Sequence, residues 1–216
     1  MIFKNSRKVK WLILVCLLLI IIAVPTAPVL AHNYYGSGYY GECPYSSASS
    51  SCDISISNSA FTLFLAVAPT PSGSCTVQSD QVSVSTYDPS GYTLTLGNTS
   101  TNTGLLNGSY SIPASGGTPA SPQALADNWG YRVDGWSSFG AGPTSAETNS
   151  VPNGSITFAG TEASNLTADT IAQTSSVPNP YVPVSTTVWY GVCVDTSLSE
   201  IEGSYTSTVL YTATAN

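Results

Sequence analysis

The feature that most constrains the fold is an alternation of apolar and polar side chains with a period of two residues. Val82 and Val84 alternate with serines, and Tyr92, Leu94 and Leu96 share one face of the next segment. This period is typical of β-strands that bury one face, whereas an amphipathic helix repeats its apolar positions every three or four residues. No segment after the first thirty residues shows a sustained helical period, so the sequence predicts an all-β protein.

The same alternation recurs in residues 129–133, 155–159, 187–195 and 205–214, and residues 53–67 are expected to hold one or two further strands. Segments rich in Pro, Gly, Ser and Asn separate these strands, which is typical of antiparallel sheets joined by turns. About seven to nine short strands in one domain predict an antiparallel Greek-key β-sandwich with an immunoglobulin-like arrangement.

The connections between strands give more specific predictions. The DPSG sequence at residues 88–91 is a turn signal and predicts a hairpin between the strands on either side. The irregular stretches 113–128 and 137–154 are expected to form large loops at one end of the sandwich. Residues 122–127 indicate one helical turn.

The first 31 residues have the three parts of a secretory signal peptide. Residues 1–10 are basic, residues 11–24 are an uninterrupted apolar run, and Val29 and Ala31 stand at the positions that a signal peptidase reads. This pattern predicts cleavage after Ala31. Residues 11–31 are also about long enough to span a bilayer if their prolines are tolerated, so an uncleaved N-terminal membrane anchor is the alternative. Either way, residues 32–216 are expected outside the cell.

Residues 32–52 differ from the remainder of the exported chain. They are rich in Tyr, Gly and Ser and have no alternating apolar face, which predicts a flexible N-terminal arm before a β-sandwich domain at residues 53–216. Four of the arm's tyrosines are candidates for stacking on sugars or on another subunit, namely Tyr34, Tyr35, Tyr39 and Tyr40.

The cysteine count agrees with export. Four cysteines lie beyond the signal segment: Cys43, Cys52, Cys75 and Cys193. An even number in an exported chain suggests disulfides, and three pairings are possible. The proximity of Cys43 and Cys52 favours a local loop, which leaves Cys75 and Cys193 to join an early strand to a late one. The spacings are not those of a zinc site, so no metal cofactor is expected.

The charge distribution excludes several partners. Four of the five basic residues lie in the first ten positions, so the exported chain carries Arg132 alone against twelve acidic side chains. Nucleic acids and anionic membrane surfaces are bound through clustered Lys and Arg, so neither is an expected partner. A membrane is expected to contact the chain only through an uncleaved N-terminal segment.

The sequence offers little catalytic chemistry. Its only histidine, His32, lies beside the cleavage site, so a Ser-His-Asp or Cys-His arrangement would have no general base in the domain. We therefore predict a protein that is not an enzyme and that needs no cofactor. A secreted hydrolase that uses an acidic pair, for example Asp127 with Asp134, is the alternative.

Binding candidates are acidic or aromatic. Asp195, Glu200 and Glu202 are the best candidates for a calcium site, although no complete calcium-binding loop motif is present.

Arg132 lies close to Trp129 and Asp134 in the sequence, and two interpretations of it are open. It is either an ion-paired arginine that packs beside an aromatic ring or a contact for a ligand carboxylate. Together with Arg132, Trp129 and Trp136 form the predicted binding site.

Several segments carry a resemblance to known proteins: GYTLTL at 91–96, WGYRVD at 129–134, VCVD at 192–195, GSYT at 203–206 and YTATAN at 211–216. Through them, residues 76–216 resemble bacterial cell-surface β-sandwich proteins, and the closing Gly-x-Tyr-Thr segment is similar to the end of WxL-type wall-binding domains. A WxL domain carries a Trp-x-Leu pair in its last strands, whereas residues 209–213 here read VLYTA. The resemblance implies an exported sandwich and no catalytic residues.

Together these features predict an exported, non-enzymatic structural or adhesive protein of the cell surface that associates with copies of itself. The alternative is a monomeric extracellular module that binds glycans or a host surface.

Overall fold

The computed structural model describes residues 54–88, 90–176, 182–197 and 202–216, all within the compact unit Tyr40–Asn216. All helical or strand structure in these ranges is β, which confirms the all-β prediction. The strands of the described chain are β1 (Ile54–Asn58), β2 (Ser74–Thr86), β3 (Tyr92–Asn98), β4 (Leu105–Asn107), β5 (Tyr110–Ile112), β6 (Gln123–Ala124), β7 (Asn128–Arg132), β8 (Glu147–Ser150), β9 (Thr157–Phe158), β10 (Asp169–Gln173), β11 (Val184–Val194) and β12 (Val209–Ala215).

The strands form antiparallel sheets of unequal size. The largest has the order β1-β2-β11-β7. The edge of β2 that faces away from β11 pairs with two strands: its start pairs with β8 and its end pairs with β1. The second has the order β10-β3-β12, and β4–β5 and β6–β9 are separate pairs. The predicted helical turn at residues 122–127 is wrong, because Gln123 and Ala124 belong to β6 and pair with β9.

Side chains from both larger sheets fill one hydrophobic core. Val82 and Val84 of β2 and Leu94 and Leu96 of β3 are fully buried there, together with Ile171 of β10. These are positions that the alternation assigned to buried faces. Burial of each such side chain contributes about 1.5–3 kcal/mol, so the alternation accounts directly for how the two sheets associate.

The predicted hairpin between β2 and β3 is wrong. The turn itself forms, since the Gly91 N–H donates to the Asp88 carbonyl oxygen at 3.1 Å and Gly91 has a φ of +85°. A Cβ at Gly91 would also collide with the backbone of Thr174. However, β2 and β3 belong to different sheets, so the turn carries the chain across the core. Both strands direct their apolar faces at the same core, as hairpin strands also do.

The outer face of the largest sheet is partly covered as well. A second apolar cluster there contains Leu125, Phe158 and Trp189 together with the two cysteines of β2 and β11. Leu125 comes from the stretch 113–128 that was predicted to be a loop. That stretch and 137–154 contain β6 and β8, so neither is entirely irregular.

A disulfide joins the two longest strands. Cys75 of β2 and Cys193 of β11 are directly paired in the ladder, their Cα atoms are 4.1 Å apart, and both are buried. The predicted pairing of an early strand with a late one is therefore confirmed. The other predicted pair, Cys43 with Cys52, lies outside the described residues.

Removal of this disulfide should destabilise the protein strongly, because it closes a loop with a sequence separation of 118. We expect the double variant Cys75→Ala/Cys193→Ala to lose about 2–5 kcal/mol of unfolding free energy, measured by urea denaturation. The control is Cys43→Ala/Cys52→Ala, in which any lost bridge spans a short loop and the effect should be smaller. A loss below about 1 kcal/mol from the first variant would contradict the expectation.

Candidate functional site

Arg132, the only Lys or Arg after residue 10, is enclosed in the interior. It ends β7, and its side chain is 0% exposed. Its Nε donates to Asp134 Oδ1 at 2.8 Å, one terminal nitrogen donates to the Thr157 carbonyl at 3.1 Å, and the other donates to the carbonyls of Phe139 and Gly140 at 2.9 and 3.2 Å. Four of the five N–H groups of the guanidinium are therefore used within the chain.

Aromatic rings and a glycine complete the enclosure of Arg132. Its Cζ atom lies 5.9 Å from the ring centroids of both Phe139 and Phe158, within the range of a cation–π interaction. Gly142 covers the ion pair, and a Cβ at that position would collide with Asp134 and the guanidinium. These contacts match the first interpretation of Arg132, an ion-paired arginine that packs beside aromatic rings. They also fix the conformation of the loop between Val133 and Gly142.

The two predicted binding tryptophans have different environments. Trp129 is a core residue, 3% exposed, and its Nε1 donates to the Thr103 carbonyl at 3.0 Å. Trp136 is half-buried at the surface, and its Nε1 donates to the Thr170 carbonyl of β10 at 2.7 Å. Only Trp136 therefore presents part of its ring to solvent in a position suited to a ligand.

Trp136 borders an open depression with a volume of about 550 Å³. Three segments line it: the turn at residues 118–120 and the pair Trp136 and Ser137, which we term its walls, and Asp169 and Thr170 of β10, which we term its floor. A hydrogen bond from the Ser138 N–H to the Pro119 carbonyl oxygen, at 3.1 Å, joins the two walls.

A hydrogen bond from a buried side chain holds the Asp169 carboxyl on this floor. The Tyr131 hydroxyl, which is fully buried, donates to Asp169 Oδ2 at 2.7 Å. Burial raises the pKa of Asp169, the hydrogen bond from Tyr131 partly offsets that rise, and the charge of Glu162 adds to it. Burial and the neighbouring carboxylate also raise the pKa of Tyr131, so this hydroxyl remains a hydrogen-bond donor. No sequence pattern singles out Asp169, because its partner Tyr131 lies 38 residues away.

The predicted acidic sites have partners within the chain or extend outside the described residues. Asp127 Oδ1 accepts from the Asp195 N–H at 2.7 Å, whereas Asp134 binds Arg132, so the two carboxylates of this pair have different partners. Of the calcium candidates, Glu200 lies outside the described residues and Glu202 is exposed. Where the structure is described, no three Asp, Glu, His or Cys side chains are grouped to hold a metal ion.

The predicted arm tyrosines, Tyr34, Tyr35, Tyr39 and Tyr40, lie outside the described residues, as do the cleavage site at Ala31 and the alternative membrane anchor. No helix in the described ranges has the length and apolar character to span a membrane.

A second surface feature is the extended segment that links β1 to β2. Leu63, Leu65 and Val67 are half-buried and pack on the core, whereas Phe61 and Phe64 are 95% and 82% exposed. Large apolar side chains exposed to this degree, close together in the sequence, mark a surface suited to association. Of the one or two strands predicted in residues 53–67, the described chain forms one, β1.

Side chains of β2 hold this segment where a backbone ladder is missing. The Asp80 carboxylate accepts from the Ala60 N–H at 3.0 Å, and the Thr76 hydroxyl donates to the Ala66 carbonyl oxygen. The segment thus follows β2 in the antiparallel direction, yet residues 62–69 belong to no strand. Their backbone polar groups are consequently not organised by sheet pairing.

The nearby strand β12 approaches β1 but is hydrogen-bonded along one edge only in the described chain. One edge pairs with β3, and no strand of the described chain pairs with the other. The Tyr211 side chain of β12 hydrogen-bonds Tyr190 across the core at 2.7 Å and contacts Asp80, the same carboxylate that binds Ala60. Leu210, on the opposite face of β12, is 55% exposed. An unpaired edge beside exposed apolar side chains is a template for another strand.

No protein family, no curated protein and no solved structure matches this chain. The function must therefore be argued from the geometry of the two surface features.

Replacement of Arg132 should be far more damaging than replacement of its ionic partner. Arg132→Met leaves three carbonyl acceptors without their donor, one of them the buried carbonyl of Phe139, and we expect a loss of about 3 kcal/mol or more of unfolding free energy. The comparison variant Asp134→Asn keeps an oxygen acceptor for the guanidinium and removes only its counter-charge, from a partly exposed position, so its cost should be smaller, about 1–2 kcal/mol. Equal losses in urea denaturation would show that the carbonyl contacts of Arg132 contribute little.

Substitution of Asp169 should change how stability depends on pH. Because the pKa of the folded Asp169 carboxyl is raised, ionisation at neutral pH opposes folding, and protonation at lower pH relieves that cost. Asp169→Asn carries no ionisable group there. We therefore expect the difference in Tm, variant minus wild type, to decrease as the pH falls from 7 through the folded pKa of Asp169. An increase over that range would mean that the folded pKa of Asp169 is lowered.

Proposed function

We propose that this chain is an exported, non-enzymatic cell-surface protein that has a structural or adhesive role and associates with copies of itself through the open edge of β12. The observation that carries the proposal is this edge, with Leu210 on its outer face and the exposed Phe61 and Phe64 on the neighbouring segment. Monomeric proteins usually protect such an edge with charged residues, bulges or a covering element. The exposed side chains along β12 are Leu210, Thr212 and Thr214, and none of them is charged.

Export is supported by the signal-like residues 1–31 and by the disulfide. The Cys75–Cys193 bridge is buried between paired strands, and structural disulfides of this kind persist in oxidising compartments outside the cytoplasm. We further propose that the two larger sheets form a β-sandwich of the immunoglobulin-like, Greek-key class. Their shared core supports the sandwich, and several bacterial surface proteins that the sequence resembles have the same architecture.

The partner strand is proposed to be the arm at residues 32–52 of a neighbouring copy. Ile54 pairs with Thr86 at one end of β2, and Tyr92, a few residues later, pairs with Ala215. The arm therefore joins the described chain near the C-terminal end of β12. With Cys43 and Cys52 bridged as predicted, residues 32–43 could still extend over about 40 Å, which is enough to reach a second molecule.

Charge also favours the arm as the partner. The arm contains one acidic residue, Glu42, whereas the other eleven acids lie in the remainder of the exported chain. Two acidic domains repel each other, but a nearly neutral tyrosine-rich strand can be added to β12 with little repulsion. Main-chain hydrogen bonds would then supply affinity, and aromatic side chains would cover the exposed apolar residues.

Sedimentation velocity over a range of concentrations tests the proposal. The exported chain should form concentration-dependent oligomers, and deletion of residues 32–51 should leave it monomeric. Leu210→Lys should also weaken association, because a lysine on an edge strand opposes strand addition. Leu166→Lys is the matched control, since Leu166 is similarly exposed but lies in a loop.

Two results would refute this assembly. One is a wild-type chain that remains monomeric at ~100 µM, which leaves less than about 5–6 kcal/mol of association free energy. The other is an oligomer that persists when residues 32–51 are deleted. Leu210→Lys should leave the circular dichroism spectrum and the Tm unchanged, so that a loss of association is not caused by unfolding.

A further inference from the structure

The depression beside Trp136 has a rigid construction that assembly through β12 does not require. The Trp136 ring is fixed by its hydrogen bond to the Thr170 carbonyl at 2.7 Å, and the loop that carries it is fixed by Arg132 through the carbonyls of Phe139 and Gly140. The enclosed cation of the chain thus positions an aromatic ring at the surface. A rigid ring of this kind binds a ligand without a large loss of conformational entropy.

The floor of the depression supplies a directed hydrogen-bond acceptor. The buried Tyr131 hydroxyl holds Asp169 Oδ2 at 2.7 Å, so the orientation of the carboxyl is set from inside the protein. The hydroxyl-bearing residues Thr118 and Ser137 stand at the rim. Residues that carry an aromatic ring, an oriented carboxyl and hydroxyl groups therefore line the same space of about 550 Å³.

The composition of the lining narrows the class of ligand. No cation is among the residues that line the depression, and Arg132 is enclosed below, so an anionic ligand would meet only the negative Asp169. Sites for quaternary ammonium groups surround the cation with several aromatic rings, whereas the described lining offers only Trp136. A neutral saccharide suits this site better, because it has an apolar C–H face and hydroxyl donors at its edge.

We propose that this depression binds a neutral saccharide, with one sugar ring stacked on Trp136 and a sugar hydroxyl that donates to the Asp169 carboxyl. Thr118 and Ser137 bond further hydroxyls at the rim. The site includes neither β12 nor the arm, so saccharide binding is independent of the proposed self-association.

Saturation-transfer NMR and isothermal titration calorimetry test this site with three neutral trisaccharides: cellotriose, maltotriose and N,N′,N″-triacetylchitotriose. At least one should bind saturably. Trp136→Ala should abolish that binding, and Asp169→Asn should weaken it about tenfold, because a hydrogen bond to a charged acceptor becomes one to a neutral acceptor. Tyr110→Ser is the matched control, since it removes an exposed aromatic ring that does not line the depression and should leave affinity unchanged.

A comparison of two Trp136 variants separates binding from folding. Trp136→Phe keeps an aromatic face and should retain weaker binding, whereas Trp136→Ala should lose it even when near-UV circular dichroism shows a folded chain. The proposal is overturned if none of the trisaccharides binds. It is also overturned if a trisaccharide binds equally well to Trp136→Ala and Asp169→Asn, or if choline binds in place of the trisaccharides with the same dependence on these residues. A failure to bind saccharides would leave the proposed self-association unaffected, and a failure to self-associate would leave the proposed saccharide site unaffected.

Discussion

The ladder between β2 and β11 is the interaction on which the other parts of this structure depend. It pairs every position from Ser74 to Val84 with a residue of β11, and the disulfide covalently joins one of these pairs. One face of β2 contributes Val82 and Val84 to the main core, and the opposite face contributes Cys75 to a second apolar cluster. Its outer edge holds β1 and β8. A disturbance of this strand would therefore reach both cores and the edge strands.

Two polar residues of β2 also position a segment that lies outside the sheets. Asp80 and Thr76 are buried on the core side, where an unpaired polar group would be costly. Both are satisfied by the backbone of residues 60–66, which they hold in an extended conformation. This arrangement covers part of the core while leaving Phe61 and Phe64 in solvent. The exposed apolar surface thus follows from how buried polar groups in β2 are satisfied.

Local patterns in the sequence predicted where strands form better than they predicted which strands pair with each other. Alternation identified the buried faces around Val82 and Leu94 because burial of one face depends on the strand itself. It could not distinguish a hairpin from a crossing between sheets, since both arrangements bury the same side chains. The pairing of Cys75 with Cys193 could be predicted because few partners were available. The role of Asp169 could not, because its burial and its bond to Tyr131 arise only when β7 and β10 are brought together.

The enclosed side chain of Arg132, a residue type that is rare in this chain, determines the conformation of a surface loop without being exposed itself. A guanidinium without solvent must have its donors satisfied internally, and the carbonyls of Phe139 and Gly140 meet that need only if the loop after β7 adopts one conformation. That conformation presents Trp136 beside Asp169. With Arg132 enclosed, the described residues carry no Lys or Arg side chain at the surface with which to bind partners by ion pairing. Backbone edges, aromatic faces, hydroxyl groups and carboxylates remain, and the two proposed interactions use these four kinds of group.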